Sequence, residues 1–448
     1  MRILILAPRS NFPEPTPGWL RIPQLALAVL EALTPEGHEV RVVEEEFEPL
    51  PLDEHWDLIG ITTMTATAQR AYELARRFRE RGGKVVLGGV HVSMLPEEAL
   101  EHADAVVVGE AEGVWERVVE DARRGELRRI YRNMRPPIEH TPVVKWPRPR
   151  KIFGINTSVT PVMTTRGCPN DCEFCCVHQL YGHRVRYMPI ERVVEQIRST
   201  HTDQIMFLDD NLGGNRRYAM RLFAALRPLR IQFLAQVSVR FVLDEPLFAA
   251  ARRAGLAGIF VGVESVQPEA MRALRKSTSL DDLVRAIRRC NRAGVAFHAS
   301  LIFGLDEQGP SVFDHTLDFL MTHNVPSASA NVLTPYPGTA LYDRLLREGR
   351  IVHTNWAYYD HTTPVFRPAR MSPRQLADNY IRFRRGLFSL RSIAKRLPAQ
   401  LHVRPMIYLG MNLAYRRTTR LLAEHHRRYF AWLADYTRRK SLVPDASG

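Results

Sequence analysis

Short apolar runs that alternate with helix-like segments are the feature that most restricts the fold of this chain. Residues 1–126 contain five such runs, and residues 159–345 contain six more. Strands separated by helices pair in parallel, because the chain crosses a face of the sheet before it returns. Residues 1–126 therefore predict a doubly wound parallel sheet of the α/β class, and residues 159–345 predict a partial or full parallel barrel.

The segments outside these two units differ in composition. Residues 127–158 contain five prolines and eight basic residues and predict a linker. Residues 346–448 predict a basic, mainly helical extension. The whole net charge of +14 lies in residues 361–448, where 18 Lys and Arg residues accompany 4 Asp and Glu residues. Because residues 1–360 are neutral overall, nucleic acid is not the expected partner of the chain as a whole.

The apolar runs also bear on location. They are shorter than the ~20 residues that a membrane-spanning helix needs. The N-terminus opens on a strand-like run and not on a signal peptide, so a cytoplasmic protein is expected. In the basic extension, arginines lie among apolar and aromatic residues, as in segments 381–388 and 406–417. Two interpretations of the extension remain: an interfacial helix on anionic lipid, and a helical cap over the barrel with a solvated basic face.

Four of the five cysteines lie within nine residues, at Cys168, Cys172, Cys175 and Cys176. The first three follow a predicted strand with C-x3-C-x2-C spacing. A cysteine cluster in a cytosolic chain more often binds metal than forms disulfides. Three thiolates can hold three irons of a [4Fe–4S] cube, and the open fourth iron is typical of a catalytic metal site. Cys176 is adjacent to Cys175 and is interpreted as a bystander.

The segment Cys168-Pro-Asn-Asp-Cys172-Glu-Phe-Cys175 resembles the signature of the radical SAM superfamily. The resemblance implies a partial (β/α)6 barrel in which the three cysteines hold a [4Fe–4S] cluster. It implies that S-adenosylmethionine (SAM) binds the open iron, and that one electron then cleaves SAM to a 5′-deoxyadenosyl radical. This radical abstracts hydrogen from an unactivated carbon. A ferredoxin or flavodoxin is the implied reductant.

Polar residues and glycines at the ends of successive predicted barrel strands fit the same resemblance. The family has groups there that contact the methionine and adenine parts of SAM. No catalytic acid, base or hydrogen donor is predicted. The residues expected to bind SAM on this resemblance are Phe174, Asp209, Gln236, Ser238, Glu264, Ser265 and Gly304.

Residues 1–126 are similar to the cobalamin-binding domain that is fused to many radical SAM enzymes. The similarity lies in segments 57–62, 85–91, 95–98 and 105–112. The D-x-H-x-x-G motif, whose histidine ligates cobalt in the best-known cobalamin domains, is absent, and the histidine in segment 85–91 is not its equivalent. A scaffold or substrate-binding domain is the alternative. The residues expected at the cobalamin site are Thr63, Gly88, Gly89, His91, Gly109 and Glu110.

The segment Pro335-Tyr-Pro-Gly-Thr339 and the later segments 356–360, 364–368 and 371–373 resemble a subgroup that includes the anaerobic Mg-protoporphyrin cyclase and lipid-active radical SAM enzymes. We therefore expect a cobalamin-linked radical SAM enzyme that functionalises an unactivated carbon of a lipid-like or tetrapyrrole substrate. Methylation, carbon–carbon bond formation and ring formation remain open. The alternatives are a radical SAM enzyme without cobalamin and a tRNA-modifying one. The tRNA-modifying class has cysteines in its N-terminal domain, whereas the first cysteine here is Cys168.

Overall fold

The computed structural model describes residues 1–11, 22–146, 151–152, 155–156, 159–274, 278–397 and 405–442. The strands are β1 (Arg2–Ala7), β2 (Glu39–Glu44), β3 (Leu58–Thr62), β4 (Lys84–Gly88), β5 (Ala105–Gly109), β6 (Ile130–Asn133), β7 (Lys151–Ile152), β8 (Ile155–Asn156), β9 (Thr160–Val162), β10 (Thr165–Arg166), β11 (Arg186–Tyr187), β12 (Gln204–Phe207), β13 (Gln232–Gln236), β14 (Leu256–Glu264), β15 (Ala296–Phe303) and β16 (Ser327–Val332). The helices are α1 (Leu25–Leu33), α2 (Ala68–Arg79), α3 (Val90–Met94), α4 (Pro96–Leu100), α5 (Trp115–Arg124), α6 (Val177–Tyr181), α7 (Ile190–Arg198), α8 (Arg216–Leu226), α9 (Val239–Leu243), α10 (Glu245–Arg253), α11 (Pro268–Ala273), α12 (Leu280–Ala293), α13 (Val312–Thr322), α14 (Ala340–Arg347), α15 (Pro373–Leu387), α16 (Leu390–Lys395) and α17 (Pro405–Leu442).

The first sheet has the strand order β2-β1-β3-β4-β5-β6, and every neighbouring pair is parallel. Side chains of α1 and α5 pack on one face, and side chains of α2 and α4 pack on the other. The inner residues of β1 are therefore buried on both faces, which explains their uninterrupted apolar sequence. This arrangement confirms the predicted doubly wound sheet.

The sixth strand of this sheet, β6, lies inside the segment that the sequence predicts as a linker. It pairs with β5 at the sheet edge and buries Tyr131. Only two of its four residues are apolar, which is too short an alternation to indicate a strand from sequence. The first sheet therefore continues past residue 126.

The second sheet has the strand order β9-β12-β13-β14-β15-β16, again with parallel pairs throughout. Apart from the short β10 and β11, neighbours in the sheet are successive strands of the chain, and helices connect them. This order confirms the predicted six-stranded partial barrel. Because all six strands run in one direction, their carboxyl ends meet at one rim, which is where barrels of this type place their active sites.

Helices α15, α16 and α17 form the extension, and they pack against the barrel. Tyr380 of α15 is buried, and its hydroxyl donates to the carbonyl oxygen of Ala330 in β16 at 2.7 Å. Arg396 is fully buried, and its guanidinium donates to the carbonyl oxygens of Val325 and Leu387. Among the described residues, no helix combines the length and the apolar character that crossing a membrane requires.

Candidate active site

Two cavities adjoin each other at the barrel. The cysteine cavity, of about 580 Å³, lies at the carboxyl ends of the strands and is lined by the three motif cysteines together with residues that follow β12, β13 and β14. The barrel cavity, of about 420 Å³, extends into the barrel along β14, β15 and β16. The residues that line both cavities are Phe174, Gln236, Gly262 and Glu264. The two cavities therefore have a common wall.

The loop that carries the cysteines starts from the antiparallel pair of β10 and β11. Gly167 precedes Cys168 with φ +101°, and a Cβ atom there would lie 2.9 Å from the carbonyl oxygen of Arg184. Glycine is needed at this close approach. The amide of Cys175 donates to the carbonyl oxygen of Cys172 at 3.0 Å. This turn brings the thiols to one cavity.

The donor set of this loop fits an iron–sulfur cluster. Burial raises the pKa of the Cys175 thiol to about 12, so a bound cation is needed to hold it as the thiolate. Three thiolates on one loop would hold three irons of a [4Fe–4S] cube and leave the fourth iron without a protein ligand. Cys176 is not part of the described lining of the cysteine cavity.

Four of the residues predicted to bind SAM come together in the cysteine cavity. They are Phe174 in the cysteine loop, Gln236 and Ser238 at the end of β13, and Glu264 at the end of β14. The Gln236 amide donates to the carbonyl oxygen of Asp210 at 3.3 Å. Residues distant in sequence meet here because parallel strands end at the same rim.

Asp209, also predicted for this site, does not line the cavity. Its carboxylate accepts hydrogen bonds from the hydroxyls of Thr164 at 2.7 Å and Thr165 at 2.6 Å. Burial raises the pKa of Asp209 to about 6. The next residue, Asp210, lines the cavity, and burial raises its pKa to about 6 as well. Asp209 therefore stabilises the start of the cysteine loop through its hydrogen bonds, and Asp210 is the aspartate whose side chain lines the cavity.

Glu264 has an unusual backbone conformation. Its φ is +61°, in the left-handed region, which costs a residue other than glycine on the order of 1–3 kcal/mol. The pairing of β14 with β15 is irregular between Gly262 and Glu264. The strained backbone directs Glu264 into the wall between the two cavities, and such strain is typical of functional positions.

Ser265 and Gly304 support the cavities without lining them. The side-chain amide of Gln308 donates to the Ser265 hydroxyl at 3.3 Å, and its oxygen accepts from the Gly304 amide at 2.8 Å. A Cβ atom at Gly304, whose φ is +103°, would meet Leu376 at 3.0 Å and Phe366 at 3.3 Å. The sequence analysis missed Gln308, because no motif marks this residue.

The carboxyl edge of the first sheet carries glycine turns that are expected at a cobalamin site. At Gly89, with φ +103°, a Cβ atom would lie 2.7 Å from the carbonyl oxygen of Thr63, and at Gly109 it would clash with the carbonyl oxygen of Asn133. The Ser93 hydroxyl donates a hydrogen bond to the carbonyl oxygen of Gly89 at 2.8 Å and accepts one from the Gly109 amide at 2.9 Å. The Thr63 hydroxyl is buried and has no hydrogen-bond partner among the described residues. Two glycines that leave the backbone accessible, with a buried hydroxyl that has no hydrogen-bond partner among the described residues, fit a bound cobalamin.

His91, which follows Gly88 at this edge, is fully buried. Its Nδ1 lies 3.3 Å from the Thr65 hydroxyl, and its Nε2 lies 3.3 Å from the Glu98 carboxylate. Glu98 also accepts a hydrogen bond from the Trp356 indole at 2.9 Å. Both imidazole nitrogens are engaged, so His91 holds neighbouring segments together and presents no nitrogen to cobalt.

Glu110 joins the two sheets through buried ion pairs. Arg166, two residues before the first motif cysteine, pairs with Glu110 and Glu112, and Arg186 pairs with Glu110. Arg166 and both carboxylates are buried. Burial by itself would raise the pKa of Glu112, but the positive charge of Arg166 keeps this pKa below the ordinary value of a glutamate. The edge of the first sheet is thereby fixed to the cysteine loop.

Comparisons with known proteins agree with this geometry. The radical SAM superfamily model matches residues 162–320, and the B12-binding domain model matches residues 20–119. Bacteriochlorophyllide d C-8(2)-methyltransferase of Chlorobaculum tepidum is 30% identical over 370 residues, which cover 78% of this chain and 82% of the relative. The chain belongs to the cobalamin-linked radical SAM enzymes. Bacteriochlorophyllide d C-12(1)-methyltransferase of the same organism is 28% identical, over 83% of this chain and 84% of the relative.

A solved structure shares the whole fold of this radical SAM enzyme. The radical SAM methyltransferase TsrM from Kitasatospora setae, with cobalamin and a [4Fe–4S] cluster bound, superposes with a TM-score of 0.68. The superposition covers 96% of this chain and 99% of TsrM, at 15% identity. The enzyme uses a [4Fe–4S] cluster, SAM and cobalamin as its cofactors.

We expect Cys175→Ser to remove the iron–sulfur cluster, because the loop then keeps only two of its three thiolates. Iron and acid-labile sulfide, measured after anaerobic reconstitution, should fall to a small fraction of the wild-type content. Cys176→Ser is the matched control and should keep both. Full iron content in the Cys175 variant, or its loss in the Cys176 variant, would contradict the ligand assignment.

We expect Arg166→Met to lower the free energy of unfolding by about 3–5 kcal/mol, because it removes a buried positive partner of Glu110 and Glu112. The exposed pair of Arg124 and Glu120 provides the control, and Arg124→Met should cost less than about 1 kcal/mol. Chemical denaturation measures both values. Equal losses in the two variants would show that the buried ion pairs do not hold the sheets together.

Proposed function

We propose that this radical SAM enzyme methylates an unactivated carbon of a hydrophobic small molecule of the lipid-like or tetrapyrrole class. The observation that carries the proposal is the common wall of the cysteine cavity and the barrel cavity. A substrate in the barrel cavity would present a C–H bond beside the place where SAM is cleaved. The two relatives, by their names, methylate bacteriochlorophyllide d, which favours methylation over ring formation.

When bound, the cofactors supply the radical and the methyl group, and the residues of the chain bind and orient them. Phe174 places an aromatic side chain in the common wall, where it helps to exclude water. In this proposal the cluster and SAM are bound by Cys168, Cys172, Cys175, Phe174, Gln236, Ser238 and Glu264. Cobalamin is bound at the edge of the first sheet by Thr63, Gly88, Gly89 and Gly109.

Apart from Glu264 in the common wall, the ionisable side chains that line the barrel cavity favour an uncharged substrate. His298 bonds through Nδ1 to the Ser327 hydroxyl at 2.9 Å, and burial lowers its pKa to about 4. Tyr336 and His361 share a hydrogen bond of 2.8 Å, and burial raises the pKa of Tyr336 and lowers that of His361. These groups are neutral near pH 7, so they can orient a substrate by hydrogen bonds without attracting a counter-ion. No sequence motif marks His298 or His361, and the sequence analysis missed both.

SAM with a deuterated methyl group tests the proposed reaction. The enzyme, reconstituted anaerobically with iron, sulfide and cobalamin, is given a reductant and pigment or lipid extracts of cells that lack the protein. Mass spectrometry should find 5′-deoxyadenosine and one extract component that gains the labelled methyl group. Formation of 5′-deoxyadenosine without a labelled product in any extract would contradict methylation and leave the radical SAM assignment intact.

We also propose that the outer face of the extension rests on an anionic bilayer, from which a hydrophobic substrate would enter. The Tyr408 hydroxyl of α17 donates to the carbonyl oxygen of Ile393 in α16 at 3.0 Å, so the two helices lie together. Five of the nine exposed large apolar residues in the described part of the chain are on these helices or directly beside them: Leu390, Leu397, Leu409, Leu413 and Leu421.

Basic side chains accompany these leucines, as anionic lipid requires. Arg391, Lys395, Arg417 and Arg420 are exposed and have no carboxylate partner among the described residues. Helix α17 also places Tyr415 in the lining of the barrel cavity. One helix therefore borders both the basic outer face and the proposed substrate cavity.

The double variant Leu409→Ser with Leu413→Ser should bind anionic phospholipid vesicles at least tenfold more weakly, because it removes two apolar anchors. Vesicle co-sedimentation measures binding, and added salt should weaken that of the wild type. Leu346→Ser, at an exposed leucine of α14, is the control and should bind normally. Equal binding of wild type to anionic and zwitterionic vesicles, or unchanged binding of the double variant, would contradict membrane contact through this face.

A further inference from the structure

The cysteine loop has an inner side, where its thiols line the cysteine cavity, and an outer side in solvent. Pro169, directly after Cys168, is exposed and is not among the described lining residues of the cavity, whereas Asn170 and Asp171 are exposed and also line the cavity. SAM and cobalamin belong to the inner side. A protein that delivers electrons to the cluster therefore approaches from the outer side.

Basic residues lie beside the start of this loop. The carbonyl oxygen of Arg184 would lie 2.9 Å from a Cβ atom at Gly167, so residue 184 lies directly against the loop. The guanidinium of Arg135 lies against Gly182, where a Cβ atom would be 2.9 Å from its Cζ. Arg135 and Arg184 are both exposed. We refer to these two residues as the arginine patch.

The arginine patch differs from many other exposed arginines of this enzyme in having no carboxylate partner among the described residues. On α5, for comparison, Arg123 and Arg124 both pair with Glu120. Asp171 at the loop tip is a nearby opposing charge, and it lies 3.6 Å from His178. Positive charges that are not neutralised locally attract and orient an acidic partner.

We propose that the arginine patch is the docking surface of a small acidic electron-carrier protein that reduces the cluster. The proposal rests on the cluster ligands assigned above. In this step one electron leaves the reduced carrier and enters the cluster, and no bond forms or breaks. Docking here keeps the path short, because residue 184 contacts Gly167, the neighbour of Cys168.

Charge reversal in the reconstituted holoenzyme tests the docking surface, with reduced flavodoxin as the probe and dithionite as a reductant that needs no docking. Arg135→Glu with Arg184→Glu should slow cluster bleaching by flavodoxin at least tenfold at low salt and raise the Kd for flavodoxin by a similar factor. Dithionite should still support wild-type SAM cleavage. The control, Arg252→Glu with Arg253→Glu at the end of α10, should match wild type in every measurement.

Unchanged flavodoxin binding and bleaching in the double variant would overturn the docking surface. If the double variant loses its iron, Arg184→Gln decides the question: a weaker salt dependence than wild type supports the patch, and an identical one overturns it. Failure of dithionite to support SAM cleavage in the wild type would instead contradict the proposed function. The two proposals therefore fail in different ways.

Discussion

The buried ion pairs of Arg166 with Glu110 and Glu112 are the contact on which the relation between the two sheets depends. Removing these charges from water costs several kcal/mol per ion, and the attraction between them offsets that cost only while each carboxylate keeps its partner. Arg166 lies two residues before Cys168, and Glu110 directly follows Gly109 at the end of β5. The ion pairs thus join the cysteine loop to the carboxyl edge of the first sheet, and any separation of the two would leave these buried charges unpaired.

Backbone geometry at the strand ends adds a second constraint. Parallel strands collect residues from distant parts of the chain at one rim, but they do not fix where each side chain points beyond the last paired residue. In this enzyme the backbone changes direction there through positive φ angles, at Glu264 in the barrel and at Gly89 and Gly109 in the first sheet. Each is held by its surroundings, which makes the rim rigid where cofactors must be positioned.

Features that depend on local pattern could be predicted from the sequence, whereas features that depend on contacts between distant residues could not. The cysteine spacing lies within one loop, and the alternation of strands and helices is repeated many times, so the metal-binding loop and the two sheets could both be predicted. Asp209 was expected in the cavity. It follows the end of β12 at Phe207, and its carboxylate instead accepts hydrogen bonds from the hydroxyls of Thr164 and Thr165. That contact spans more than forty residues and leaves no periodic signal.

Glu110 and His91 show the same limit at the other edge. Both were expected beside cobalamin because they follow strand ends, yet each is held by partners remote in sequence, Arg166 and Trp356 among them. A strand-end position predicts nearness to the site, whereas the atoms a side chain contacts depend on the neighbouring domain. Residues of the barrel cavity such as His298 were not predicted for a related reason. In the sequence, a buried polar residue inside a strand cannot be distinguished from an ordinary interruption of the apolar pattern.

The distribution of charge connects these features to function. Residues 1–360 have no net charge, yet the arginine patch is locally positive because its guanidinium groups lack carboxylate partners among the described residues. The extension, by contrast, carries the entire net charge of the chain beside exposed leucines. An acidic electron carrier and an anionic bilayer would compete for one evenly basic surface. In these proposals the two basic regions lie on different elements, with exposed leucines at only one of them, so each would attract its own partner.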